Sequence, residues 1–363
     1  MHITRLELRQ FRNYEQAELR PCEGVTVLYG NNAQGKTALL EAIVLCCTGR
    51  SHRTSRDKEL IRWGQEAGRV FVQAEKRDGS HEVEMLLSSL RRKTVKVNGS
   101  ALQRTGELMG HVNGVLFAPE DLRMVKDGPA ERRRFIDMEL SQIKPSYYYA
   151  LQHYAHALMQ RNKLLRDIAL KPSLSDMLED WDAQLARYGA AIMRERQAFI
   201  ALISDSAHEN HLEISGGQED LKARYVPSLD AQDEPVQALL KALRVARDVD
   251  IRRGTTSVGP HRDDLTLTLS GMDVRVYGSQ GQQRTTALSL KLAELDIMRR
   301  ELGEGPVLML DDVMSELDPR RRRQLLGRLK GIQTIVTCTD MSDLAEAEIG
   351  AAWRIQNGTI VGE

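Results

Sequence analysis

The segment Gly30-Asn31-Asn32-Ala33-Gln34-Gly35-Lys36-Thr37 sets a lysine and a hydroxyl directly behind a loop bounded by two glycines. Glycine allows backbone angles that side chains forbid, so successive amide N–H groups can converge on phosphate oxygens. Lys36 would reach the outer phosphates of a nucleoside triphosphate, and the Thr37 hydroxyl would take a position on Mg2+. An apolar run, Val25-Thr26-Val27-Leu28-Tyr29, leads in, and a helical pattern opens at Ala38-Leu39-Leu40-Glu41-Ala42. Strand, glycine loop and helix N-terminus form the context that such a phosphate loop requires, and the helix adds the positive end of its dipole. The expected ligands are ATP and Mg2+.

A second chemical element lies far downstream, where Gly305-Pro306-Val307-Leu308-Met309-Leu310-Asp311-Asp312 is an apolar strand ending in paired carboxylates. Asp311 is placed to hold the Mg2+ shell, and Asp312 to orient or deprotonate an attacking water. Most of the chain separates Lys36 from Asp311, so something is inserted between the two halves of the site. Before Asp311 stands Tyr277-Gly278-Ser279-Gln280-Gly281-Gln282-Gln283-Arg284, followed by a helix of about twenty residues with Ala287, Leu288, Leu290, Leu292 and Leu295 on its apolar face. A small-polar loop at a helix N-terminus is another anion site. Ser315-Glu316-Leu317-Asp318 extends the carboxylate strand. Together these pieces resemble the ABC-type ATPase head, whose active sites are completed when two subunits meet. That resemblance implies that Ser279, Gln280, Gly281 and Gln282 contact the γ-phosphate held by a partner copy, and that Ser315, Glu316, Leu317 and Asp318 line the seam.

The elements that must position these groups read as follows. At 363 residues, 41% hydrophobic and 28% charged, the chain is a soluble globular protein of two domains, one of them inserted. No apolar run approaches the roughly 20 residues that span a bilayer, and no signal peptide opens the sequence. Four cysteines, Cys22, Cys46, Cys47 and Cys338, show no CxxC spacing and read as reduced core thiols of a cytoplasmic protein. His153 and His156 lack neighbouring ligands and read as surface residues. With 51 basic and 51 acidic residues, net charge offers no global attraction for nucleic acid, so any polyanion surface must be local. Residues 3–9, Arg69–Ala74, Glu82–Leu87 and Thr94–Val97 alternate as strands, the last closing on the hairpin signal Asn98-Gly99. From Gly128-Pro129 helical spacing dominates. Candidate helices span Tyr147–Ala169, with Leu151, Leu158 and Leu165 as the seam, and Asp176–Asp205, with Leu178, Leu185, Ile192 and Phe199. Trp181 and Tyr188 take the other seam positions. Pro172-Ser173 breaks the two, which predicts an antiparallel hairpin. Pro235–Val249 is a further helix, and Leu265–Leu269 a strand that Ser270-Gly271 turns into Val274-Arg275-Val276-Tyr277. The fold expected is α/β: a P-loop ATPase head formed by residues 1–128 and 251–363, with an antiparallel β subdomain and an inserted short helical arm at 129–250.

Nearly the whole chain resembles the RecF family. The resemblance rests on Leu8-Arg9-Gln10-Phe11-Arg12-Asn13-Tyr14, Ser51-His52-Arg53-Thr54, Phe117–Leu122, Glu131–Asp137, Tyr154 through Gln160-Arg161-Asn162, Gly259-Pro260-His261-Arg262-Asp263-Asp264 and Ser279–Arg284. It implies an SMC-like head, ATP and DNA binding, dimerisation on ATP with slow hydrolysis, and work beside RecO and RecR in loading RecA at single-strand gaps and stalled forks. Two departures from the wider ABC pattern bear on rate. Asp312 stands where transporter subunits generally carry Glu, and Thr334–Asp340 lacks the switch histidine. Pro119-Glu120-Asp121 takes the Q-loop position. Candidate DNA contacts are Arg50, His52, Arg53 and Arg56, the run Arg91-Arg92-Lys93, and the runs Arg132–Arg134 and Arg320–Arg323. Competing readings are an ABC transporter ATPase subunit, a P-loop kinase and a structural SMC-like linker. The helical insertion and absent histidine speak against the first, and the Ser279 loop has no role in the second. The third needs a long coiled coil or a zinc hook, and neither is present.

Overall fold

Val25–Tyr29, Val307–Asp311 and Thr334–Cys338 are buried along almost their whole length. Strands covered on both faces belong in the middle of a parallel sheet, and that is where these lie. The computed structural model describes residues 1–230, 234–345 and 347–361, with the side chain of Glu316 outside the described set. Two compact units divide the chain: Met1–Asp121 with Leu288–Glu363, and Leu122–Ala287.

Along the chain the first unit opens with β1 (His2–Phe11), β2 (Tyr14–Leu19), β3 (Val25–Tyr29) and α1 (Lys36–Thr48). It continues with β4 (Ala67–Lys76), β5 (Gly79–Ser88), β6 (Thr94–Val97), β7 (Ser100–Ala101) and β8 (Gly114–Phe117). The second unit holds α2 (Leu122–Lys126), α3 (Pro129–Ile143), α4 (Pro145–Leu170), α5 (Leu178–Ser215), β9 (Leu221–Val226), α6 (Pro235–Arg253), β10 (Asp264–Leu269), β11 (Met272–Asp273) and α7 (Val274–Tyr277). Helix α8 (Gln280–Leu302) crosses the division. Then β12 (Val307–Asp311), α9 (Val313–Glu316), α10 (Pro319–Arg328), β13 (Thr334–Cys338), β14 (Ile349–Gln356) and β15 (Thr359–Val361) complete the first unit.

In the first unit a sheet of order β15-β14-β3-β13-β12-β8 is parallel except at its β15 edge. A second, antiparallel sheet has the order β2-β1-β4-β5-β6-β7. Helix α1 packs with residues of both sheets in one core, which is why Leu39, Leu40, Ala42, Ile43, Leu45 and Cys46 are all fully buried. Asn98 and Gly99 both take left-handed backbone angles, as a type I′ hairpin turn demands.

In the second unit α4 and α5 pack together through the turn Pro172–Met177, and α5 runs on to Ser215, well past Asp205. The division differs from the 129–250 arm read in the sequence. Strand β10 lies beyond residue 250 yet pairs antiparallel with β9, and β9 packs along α5. That ladder draws residues 251–287 into this unit.

Three local expectations are corrected. Val274–Tyr277 is a helical turn and not a strand, because the Asp273 carboxylate accepts from the N–H groups of Arg275 and Val276. The buried line of α4 is Tyr147, Ala150, Tyr154, Ala157, Arg161, Leu164, Leu165 and Ile168, leaving Leu151 and Leu158 half-buried. Its centre is charged: Arg161 donates to Asp182 at 2.6 Å, Asp250 at 2.7 Å and Thr256 at 2.9 Å. Third, the run Arg132–Arg134 is not an open patch of three, since only Arg134 is exposed. Arg132 is buried and grips Asp264 through Nε at 2.7 Å and Nη2 at 2.9 Å, and Arg133 donates to the Asp263 carbonyl at 2.6 Å.

A candidate nucleotide site

Strand β3 is followed by Gly30, whose φ is 145° and whose position faces the Ile355 carbonyl. Any Cβ there would collide with backbone. The loop then passes Ala33, a non-glycine residue at φ 63°, and reaches Gly35 at φ 117°. A Cβ on Gly35 would fall 2.7 Å from Asn13 Nδ2 and 2.8 Å from the Tyr14 hydroxyl. Strained backbone of this kind persists only where its surroundings over-determine it. Here Asn13 Nδ2 donates to the Gln34 carbonyl at 2.9 Å, Tyr14 donates to the Gly35 carbonyl at 3.1 Å, and Gly358 N–H donates to Gln34 O at 3.0 Å. The Gln34 side chain in turn accepts from Asn357 N–H at 2.7 Å.

Helix α1 begins at Lys36 with no side chain capping its first turn. Ala38 N–H donates to the Gly35 carbonyl at 3.0 Å, and the N–H groups of Lys36 and Thr37 ahead of it stand at the positive end of the dipole, where phosphate oxygens fit. The Lys36 ammonium folds back onto the carbonyls of Gly30 and Asn31. Burial lowers its pKa, and Asp312, Cys338 and Asp311 partly offset that.

The parallel sheet joins the distant halves. Between β3 and β12 lies β13, so Thr337 stands beside Asp311 in register. Thr37 Oγ1 donates to Asp311 Oδ1 at 3.0 Å, and Thr337 Oγ1 donates to the same oxygen at 2.7 Å. Burial raises the Asp311 pKa, while Thr337 and Thr37 pull it back. A carboxylate and a hydroxyl at this separation are hard oxygen donors suited to Mg2+. The Asp312 backbone is left-handed at φ 53°, fixed by its N–H donating to Thr337 Oγ1 at 2.9 Å.

A cavity of about 920 Å³ runs over Asn32–Ala38, Asp311, Asp312 and Thr337 and continues past Asn13 and Arg12 to Lys58, Glu59, Ile61 and Trp63. Arg12 organises that far end. Its guanidinium holds Glu41 of α1 at 2.8 and 2.6 Å and donates to the Glu59 carbonyl at 2.8 Å. Glu41 is fully buried; burial alone would raise its pKa, but Arg12 and Ser51 outweigh it and hold the carboxyl below its ordinary value. Thr337 and the Arg12–Glu41 pair went unread as site residues in the sequence. The one available signal was a polar residue set among apolar neighbours, Thr337 after Ile335-Val336 and Glu41 between Leu40 and Ala42.

The other predicted residues fall as follows. In the second unit, Ser279 caps α8 in a reciprocal box: Gln282 N–H donates to Ser279 Oγ at 3.2 Å, and Ser279 N–H donates to Gln282 Oε1 at 2.8 Å. Ser279 and Gln280 are exposed, and Gly281 and Gln282 half-buried. In the first unit, Ser315 donates to the Asp312 carbonyl at 2.8 Å, and Leu317 is buried. Asp318 caps α10 by accepting from Arg320 and Arg321 N–H, both at 3.0 Å. The Glu316 side chain lies outside the described residues. Arg50, Arg53, Arg56, Arg91 and Arg92 are exposed. His52 is half-buried near Glu41, and Lys93 is committed to Asp57 at 2.9 Å. In the Arg320–Arg323 run, Arg321 pairs with Asp318 and Arg322 with Asp343.

The family model described as RecF/RecN/SMC N terminal domain matches residues 2–360. Similar proteins include the DNA replication and repair protein RecF of Acetivibrio thermocellus, 44% identical over 94% of each chain. The protein of the same name from Lachnospira eligens is 42% identical over the full length of both. A solved structure of the recombination mediator protein RecF with ATP, in the RecFOR pathway, aligns with a TM-score of 0.93 at 38% identity, covering 99% of this chain and 97% of that one. An Smc head domain of Pyrococcus furiosus aligns at 0.58 and 18% identity over 99% and 95%, and so shares the fold. Among the described residues no helix is long and apolar enough to cross a membrane.

Proposed function

The chain belongs to the RecF family of DNA replication and repair proteins, and from that premise we propose that it is an ATP-dependent DNA-binding protein that closes into a homodimer on ATP and hydrolyses it slowly. The observation that carries this reading is the 3.0 Å contact between Thr37 and Asp311, which joins the two halves of a phosphate and Mg2+ site from opposite ends of the chain. Thr37 and Asp311 would hold Mg2+, which supplies charge neutralisation at the phosphates when bound. The amides of Asn31–Thr37 and the Lys36 ammonium would bind the phosphate chain. Asp312 would orient a water; one methylene shorter than Glu and without a neighbouring histidine, it does so poorly, and hydrolysis serves as a timer. Ser279 and its neighbours would complete the partner's site, with Ser315–Asp318 along the seam.

DNA, as duplex or single/double-strand junction, would lie along the exposed arginines Arg50, Arg53, Arg56, Arg91 and Arg92, doubled across the dimer, with His52 and Lys93 beside them. RecO and RecR are the protein partners, and loading of RecA at gaps the outcome. The likeness to an ATP-bound RecF of the RecFOR pathway supports this assignment.

Light scattering with Mg-ATP tests the clamp. The wild type is expected to double in mass, whereas Lys36→Ala and Ser279→Arg each stay inactive as ATPases alone. Mixing equal amounts of the two restores about a quarter of the wild-type rate, since half the dimers are mixed and each holds one whole site. No recovery on mixing excludes a site shared between copies. A DNA affinity that is the same with and without ATP excludes the clamp.

A further inference from the structure

Helix α5 ends in two glycines that both take left-handed angles, Gly216 at φ 75° and Gly217 at φ 78°. The N–H groups of both donate to the Leu212 carbonyl, so the chain doubles back on the turns it has just left. That reversal returns Glu219 to His211, which is fully buried on α5. A carboxylate can only accept, so His211 donates through Nε2 to Glu219 Oε2, at 3.0 Å. The other oxygen, Oε1, accepts from the Gln282 side-chain Nε2 at 2.8 Å.

The second bond fixes which way round the Gln282 amide stands. With its nitrogen turned to Glu219, its oxygen faces the Ser279 N–H and accepts from it at 2.8 Å. Flipped, the amide would set oxygen against carboxylate and N–H against N–H, two repulsive contacts in place of two bonds. The Gln282 backbone N–H donates to Ser279 Oγ at 3.2 Å, so the hydroxyl oxygen is engaged within the chain. Its proton is left for an outside acceptor, and Ser279 is exposed. All four residues belong to the second unit.

We propose that Glu219 is a positioning residue for the Ser279 loop: it orients the Gln282 amide from the end of α5 and so aims the Ser279 hydroxyl at the phosphate of the partner copy. The proposal rests on the reading above in which Ser279 completes the partner's site. Glu219 acts through Gln282 and on the other copy, so its loss spares the phosphate loop of its own chain.

Mixing variants provides the test. At concentrations too low for pairing, Glu219→Ala is expected to bind Mg-ATP as tightly as the wild type. Its ATPase rate falls at least about tenfold, since small misplacements of a positioned group carry losses of this order. Mixed with Lys36→Ala, whose Ser279 loop is intact, it recovers about a quarter of the wild-type rate, because half the dimers are mixed and each holds one whole site. Mixed with Ser279→Arg it recovers nothing, since neither copy then carries a working loop. Glu219→Gln retains an acceptor for Gln282 and most of the rate, with His211 changing tautomer. Glu219→Asp keeps the charge but loses a methylene of reach; it behaves as Glu219→Ala and stands in for it should that variant not fold. Recovery with Ser279→Arg overturns the proposal, as does a wild-type rate in Glu219→Ala or a Glu219→Gln as slow as Glu219→Ala. No recovery with Lys36→Ala also overturns it, provided that Lys36→Ala and Ser279→Arg recover together. If that reference pair does not recover, the shared site itself fails and both readings fall.

Discussion

Arg12 has an outsized role for a single side chain. Its guanidinium is the counter-charge of Glu41, which is fully buried on α1, and it also holds the segment that carries Trp63. Removing one partner of a buried pair leaves an uncompensated charge, so Arg12→Ala is expected to cost about 3 kcal/mol, read from the denaturant midpoint. Replacing both residues should cost less than the sum of the single losses. The pH dependence has a definite sign. Glu41 is held below its ordinary value of 4.5, so its contribution is present above that value and is lost as pH falls through the lower, folded value. An Arg12→Ala protein whose acid unfolding midpoint matches the wild type would contradict this. Of the residue-level chemistry, Lys36, Thr37 and Asp311 could be read from spacing alone because each belongs to a run with a fixed local shape. Arg12 could not, since its partner is set by packing.

At the scale of elements, two polar residues read for function also hold local structure. Asp318 caps α10, so Asp318→Ala should cost about 1 kcal/mol whether or not a partner copy is present; thermal unfolding without nucleotide measures it. Asp121 closes the turn Pro119–Asp121 by accepting from Ala118 N–H at 2.8 Å. Burial raises its pKa from 3.8 to about 6, against the pull of Lys291. The native state thus binds this proton more readily than the unfolded chain, and stability falls as pH rises from about 4 to about 6. Asp121→Asn keeps an acceptor and carries no charge. The variant should gain stability over the wild type above pH 6 and lose that advantage in acid, as denaturation at both pH values would reveal.

For the whole molecule, the basic surface is narrower than the arginine count suggests. Arg132, Arg133, Arg321, Arg322 and Lys93 are bound to partners inside the chain. Exposed candidates for phosphate contact are Arg50, Arg91, Arg92, Arg134, Arg320 and Arg323, with Arg53 and Arg56 exposed but lying 3.9 Å from Glu41 and 3.5 Å from Glu59. Each contact adds about 0.9 to the log–log salt slope of DNA affinity, so Arg91→Ala should flatten that slope by roughly 0.9 per copy. Arg132→Ala should leave the slope unchanged and destabilise the fold. A slope that responds to Arg132 and not to Arg91 reverses the assignment.

The phosphate loop, the carboxylate strand and the hairpin at Asn98-Gly99 were determined by the sequence, because each depends on backbone angles and apolar periodicity within a few residues. The helices of the inserted region were legible for the same reason, though their ends were not. What tertiary structure decided was every pairing across distance. It inserted β13 between β3 and β12, so that Thr337 binds Asp311; it joined β9 to β10 across residue 250; and it buried Arg161 among Asp182, Asp250 and Thr256. Strand order and the neutralisation of buried charge are properties of the packed chain. A linear pattern records which residues are polar, whereas only the fold determines which of them meet.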